Sequence, residues 1–84
     1  MEIEVGKVID LEDGASYLIS DNFLHEGQEY ISLVAVKEPI HNRFAEVNEI
    51  DGNKYIAFVE DVELINLFKQ YIVNDFFASI EDDD

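Results

Sequence analysis

Apolar residues along the first two thirds of the chain come in short blocks, each separated from the next by a turn signal. Asp13-Gly14 lies between Val8–Leu11 and Tyr17–Ile19, Glu26-Gly27 between Phe23-Leu24 and Tyr30–Val36, and Asp51-Gly52 between Phe44–Ile50 and Tyr55–Val59. Gly supplies the positive φ of a tight turn, so β-branched and aromatic blocks on either side of such a pair predict hairpins. Five strands follow, at about Ile3–Leu11, Ser16–Leu24, Glu29–Lys37, Arg43–Ile50 and Lys54–Glu60. The third connection, Glu38-Pro39-Ile40-His41-Asn42, is longer and holds the only Pro. Gly6 inside the first strand predicts a bulge or bend.

After Glu60 the period changes. Val62, Leu64, Ile65, Leu67, Phe68, Tyr71, Ile72 and Phe76 fall on one broad face at helical spacing. Asp61 is placed to cap the start, and Glu63 complements the dipole in the first turn. A helix from about Asp61 to about Phe76 is predicted, with Phe77–Ile80 extending it or fraying.

In Tyr30-Ile31-Ser32-Leu33-Val34-Ala35-Val36, as at Val8-Ile9, apolar side chains point to both faces of the sheet. A sheet with one wet face would alternate more cleanly. One helix covers one face. The other must be closed by curling into a small open barrel, or be covered by another subunit or partner. The expected fold class is α+β, mainly β: a five-stranded antiparallel meander, as a curled sheet or small open barrel, with one C-terminal helix. Residues 1–80 form a single domain, and residues 81–84 a disordered acidic tail.

Charge changes the picture most. Twenty Asp and Glu face five Lys and Arg, a formal net charge of −15 in 84 residues. Glu81-Asp82-Asp83-Asp84 accounts for four of the acids, which leaves sixteen against five, so the folded part alone carries −11. Nucleic acid needs cations to neutralise its phosphates, and anionic membranes attract the same charge, so direct binding to either is disfavoured. A basic protein surface is the favoured kind of partner. Solubility alone is the other use of such charge. The lysines and the arginine (Lys7, Lys37, Arg43, Lys54, Lys69) are scattered, as edge protection or local ion pairs require.

The chain has no Cys, which removes disulfides, thiolate metal sites and thiol catalysis. That absence, with the acidic start Met1-Glu2-Ile3-Glu4 and no long apolar run, leads us to expect a cytoplasmic protein. His25 and His41 stand isolated in predicted loops, and the four serines show no nucleophile pattern. Asp10-Leu11-Glu12-Asp13-Gly14 faintly resembles a calcium loop, but the later acid positions do not line up. No catalytic residue, metal site or cofactor is expected, and the chain is not expected to be an enzyme.

The acids themselves are the candidate site. Glu2/Glu4 and Asp10/Glu12 stand two apart, which along a strand places them on one face at about 6.6 Å. That is near twice the roughly 3.4 Å axial spacing of phosphates on one DNA strand. Glu2, Glu4, Asp10, Glu12, Asp13, Glu46 and Glu49 are the expected partner-binding residues, able to occupy a site built for nucleic acid. The expected partner is a basic host protein that itself binds nucleic acid. The other expectation is a structural or assembly protein, including a homodimer, that uses its second apolar sheet face.

The segment Val8-Ile9-Asp10-Leu11-Glu12-Asp13-Gly14-Ala15-Ser16-Tyr17-Leu18-Ile19 resembles the opening hairpin of an uncharacterised family of small acidic proteins from Gram-positive bacteria and their phages. Those read apolar-x-x-Leu-x-Asp-Gly-x-x-Tyr-x-apolar. Glu26-Gly27-Gln28 with Tyr30 and Leu33 is similar to their second hairpin, and Glu60-Asp61-Val62-Glu63-Leu64 to their acidic helix start. Gln28 and Ser16 depart from the Lys or acid more usual there. The resemblance implies a β-meander and a mobile-element setting, with no activity or site residue. By size and charge alone the chain is also similar to phage counter-defence inhibitors, including anti-CRISPR proteins.

Overall fold

The computed structural model describes residues 3–81, with helical side chains described as far as Ile72. Five strands, β1 (Val8–Asp10), β2 (Ser16–His25), β3 (Gln28–Ala35), β4 (Asn42–Ile50) and β5 (Asn53–Phe58), precede one helix, α1 (Val62–Glu81). The sheet is an antiparallel meander in the order β1-β2-β3-β4-β5. It is curled into a half-barrel, with the helix packed outside. The α+β class and the strand count agree with the sequence.

The turns form for the expected reason. β2–β3 and β4–β5 are joined by two residues each, Glu26-Gly27 and Asp51-Gly52, and all four have positive φ (51°, 80°, 52° and 82°). That is the backbone whose twist matches the flanking strands. The first hairpin uses a longer loop, in which Gly14 N–H donates to Leu11 O at 3.0 Å and Leu11 N–H to Ala15 O at 3.0 Å.

The first strand is shorter than predicted. The chain turns at Gly6 (φ 94°), and only Val8–Asp10 is regular strand. The described acid Glu4 therefore stands before β1, and Glu12 lies beyond its end in the turn. Asp10 and Glu12 therefore do not share the strand face expected of them, and Glu4 is not on the strand; Glu2 lies outside the described residues.

The two sheet faces carry separate cores. Ile9, Tyr17, Ile19, Ile31, Leu33, Ala35, Ala45 and Val47 cluster on the concave face, joined by Ile56 and Phe58 of β5. Residues from both edge strands meet in this cluster, which is why the sheet must curl. On the convex face Tyr30, Phe44 and Phe68 are buried, with Phe23, Val59, Leu64, Ile65 and Ile72 against them. The two-sided apolar pattern of β3 is thus explained twice over, by curling and by the helix.

A register shift between Ile19 and Asp21 lets β2 serve both cores. Tyr17 and Ile19 face the concave core. Without the extra residue Phe23 would share their side, but the bulge moves it to the convex side, opposite Tyr30 and 4.9 Å from the Phe68 ring. His25, expected in a loop, ends this strand instead. Its side chain is only 17% exposed and its ring lies 5.5 Å from that of Phe68.

Asp61 caps α1: its Oδ1 accepts the Glu63 N–H at 2.9 Å and the Leu64 N–H at 3.4 Å. The helix runs to Glu81, so Phe77–Ile80 extend it, the first of the two expected outcomes, and it continues into the first residue assigned to the tail. No Gly or Pro follows Phe76 to stop it. The rest of that tail, and the side chain of Phe76, lie outside the described residues. The buried stripe is narrower than the periodicity implied, since Val62 is 67% and Tyr71 41% exposed. Phe68→Ala should cost roughly 3–5 kcal/mol in a urea melt, because the ring is fully buried among five neighbouring rings (Phe23, His25, Tyr30, Phe44 and Tyr71), whereas Val62→Ala should stay within about 0.5 kcal/mol.

Candidate functional site: an acidic rim at the open seam

Each step of the meander reverses direction, so β1 and β5 run parallel and face one another across the open side of the half-barrel. One end of this seam is pinned. Tyr17, on β2, is buried with its ring 6.0 Å from Phe58 of β5. Arg43 of β4 lays its guanidinium over the Phe58 ring, 3.4 Å from the centroid, a cation–π contact that favours the planar Arg. The same guanidinium is 3.8 Å from Asp13 Oδ2 in the β1–β2 turn.

Asp13 is the centre of this clamp. Its Oδ1 accepts the Ala15 N–H at 2.9 Å, and the Tyr17 hydroxyl donates to Oδ2 at 2.9 Å. His41 Nε2 lies 3.3 Å from the same hydroxyl. Its Nδ1 is 2.7 Å from the Pro39 carbonyl, which only accepts, so Nδ1 carries the hydrogen. The bond from Ala15, then that from Tyr17, then the Arg43 charge hold the Asp13 carboxyl below the usual carboxylate range.

The rest of the seam is an open cleft of about 550 Å³, bounded by Asp10, Leu11 and Glu12 on one side and residues 54–58 on the other. Lys54, the cation on the β5 side, is 3.5 Å from Glu29. Asp10 accepts from the Ser16 hydroxyl, and Glu12 is exposed.

The structure gathers only part of the expected site. Asp10, Glu12 and Asp13 come together at the first hairpin, but Asp13 is occupied in holding the turn. Glu4 is exposed ahead of β1. Glu46 and Glu49 lie on β4, away from the cleft; Glu46 accepts from Asn48 at 3.2 Å, and Glu49 stands opposite Lys54 in the ladder. Burial first, and then the charges of Glu46 and Glu26, keep the Tyr30 hydroxyl protonated above its ordinary range. Among the described acids only Asp21, Glu29 and Glu46 are even half-buried. No group of three or more His, Asp or Glu side chains converges as a metal site among the described residues, and no helix there is long and apolar enough to cross a membrane.

Sequence reasoning missed Tyr17, His41 and Arg43 as a unit. The available signal was that the single Arg stands directly before a strand Phe, while Asp13 and Tyr17 sit across a tight hairpin.

Because the Asp13 carboxyl titrates lower in the folded chain, its contribution is present above the ordinary carboxylate range and is lost as pH falls through its folded value. Asp13→Asn should therefore lower Tm at pH 7, and the gap from the parent should narrow below about pH 4. Thermal melts from pH 7 to pH 3 check this. A constant gap would mean that the charge of Asp13 contributes nothing.

No family model, no curated protein and no solved structure matches this chain, so what it does has to be argued from the clamp, the cleft and the charge.

Proposed function

We propose that this protein is a non-enzymatic, acidic protein-binding inhibitor that occupies a basic, nucleic-acid-binding surface on a host protein. Phage counter-defence, the role of anti-CRISPR proteins, is the setting that its size and charge suggest. The observation that carries the reading is the outward placement of the acids. The described acids are nearly all exposed, while Arg43 and Lys54 are tied to Asp13 and Glu29. At the first hairpin Asp13 is answered by Arg43, while Asp10 and Glu12 stay exposed. The field of such exposed acids steers association with a basic surface and repels polyanions.

A second reading has its own observation. Val8, Leu18 and Val34 form a cross-strand row on the convex face, and Val8 is 51% exposed. Val36, after β3, is 42% exposed. An assembly contact would run there. Tyr30, on the same convex face, is 7% exposed beneath Phe68 and is not available.

Affinity capture from host lysate at about 0.1 M and 1 M salt separates the two, since the Debye length falls from about 10 Å to about 3 Å. The inhibitor reading expects a captured protein that is lost at high salt and that DNA or RNA displaces from this chain. Joint replacement of Glu2, Glu4, Asp10 and Glu12 by their amides should slow association about tenfold or more, with single changes doing little. A complex that survives high salt and leaves the partner's nucleic-acid binding intact would end this reading in favour of the apolar row.

A further inference from the structure

The unpaired strand edges at the seam carry an inference that goes beyond charge. In an antiparallel ladder, alternate residues turn their N–H and C=O toward the partner strand and the others turn theirs away. Ile19 N–H donates to Lys7 O at 2.9 Å and Leu11 N–H to Ala15 O at 3.0 Å, which fixes the phase of β1. Val8 and Asp10 therefore present their backbone groups to the seam. On the other side Val59 N–H donates to Phe44 O at 2.9 Å, and the register pairs Ala45 with Phe58. By the same alternation Lys54, Ile56 and Phe58 turn theirs outward, and all three bound the cleft.

We propose that the seam is a strand-insertion slot. It accepts an extended segment of a partner protein in which Lys or Arg alternates with apolar residues. The two edges run parallel and bound the cleft of about 550 Å³, so one strand antiparallel to both would extend the alternation of the meander and close the half-barrel. A round small-molecule pocket would not need two rows of backbone donors and acceptors on opposite walls, whereas an added strand uses both. The side-chain preference follows from the walls. Leu11, Ile56 and Phe58 are half-buried apolar residues of the concave side. Asp10 and Glu12 give the β1 wall two carboxylates, and the Lys54 charge opposite is answered by Glu29. A segment with apolar residues on its inner face and cations on its outer face satisfies both. β5 sets the length: six residues, about 20 Å at the usual strand rise.

The test uses the full chain, isotope-labelled, with the end-capped peptide Ac-Lys-Val-Lys-Val-Lys-Val-NH2 as probe. Its controls are the same peptide methylated on alternate backbone nitrogens, in both phases, and a Glu-for-Lys version. Expected results are hydrogen-exchange protection of the Val8, Asp10, Lys54, Ile56 and Phe58 amides. Binding of both methylated phases should weaken about tenfold or more, since each removes the backbone bonds to one of the two edges. The Glu version should not bind. Ile56→Pro, which removes an outward N–H without breaking a ladder bond, should weaken the peptide while the chain still melts cooperatively. A methylated peptide of either phase that binds as tightly as the unmethylated one, or no protection of these amides at millimolar peptide, would overturn the slot. Either result would leave the inhibitor reading standing, because that reading depends on salt and on displacement by nucleic acid, not on backbone pairing. Conversely, selective protection together with a captured partner whose nucleic-acid binding is untouched would keep the slot and remove the inhibitor reading.

Discussion

The extra residue in β2 is the constraint on which the architecture depends. A strand has period two, so one continuous strand lends its apolar side chains to a single face. Here Tyr17 and Ile19 must fill the inside of the curl while Phe23 must meet Phe68 outside it. The shift at Ser20 and Asp21 makes both possible within one ten-residue strand. It also places polar groups where two cores meet. The Ser20 hydroxyl lies 3.0 Å from the Ser32 hydroxyl and 3.2 Å from the Ser32 carbonyl, and Asn42 Nδ2 donates to Ser32 Oγ at 2.9 Å. Ser32 is thus buried with its hydrogen bonds made, as a polar group between two apolar clusters must be.

The two cores divide the labour. The helix-side core is mainly aromatic, with Phe68 of α1 set among Phe23, Tyr30 and Phe44 of the sheet. The inner core is largely aliphatic and depends on the curl, which the clamp of Asp13, Tyr17, Arg43 and Phe58 holds at one end. A chain this acidic repels itself in any compact state. Spending its only Arg on the clamp therefore places a cation where it both offsets an acid and covers an aromatic face.

Much of the fold was legible because the signals were local. Asp-Gly and Glu-Gly pairs specify turns by their own backbone preferences, and Asp61 specifies a helix start by its side chain. The single-face failures of β3 already implied two covered faces. What was not legible depends on distant residues. Nothing in Ser20-Asp21 announces a bulge; only the positions of Phe23 and Phe68 require it. The shortness of β1 follows from the turn at Gly6, where a bend was anticipated but not its effect on the acids before it. Asp13 reads as one more carboxylate in a crowded sequence, and only its contact with Arg43, from two strands away, shows it to be a structural one. The seam was invisible for the same reason, since it belongs to two strands at opposite ends of the sheet.

That separation has a consequence for how the chain assembles. Every hairpin joins neighbours in sequence and can form with a short loop closure. The seam and its clamp instead link the first turn to the fourth and fifth strands, across most of the chain, and so cannot exist until β5 is in place. The contacts of Phe58 with Tyr17 and Arg43 therefore form only after the first four strands have left the ribosome. Like charge on every copy opposes association of chains whose edges are still bare.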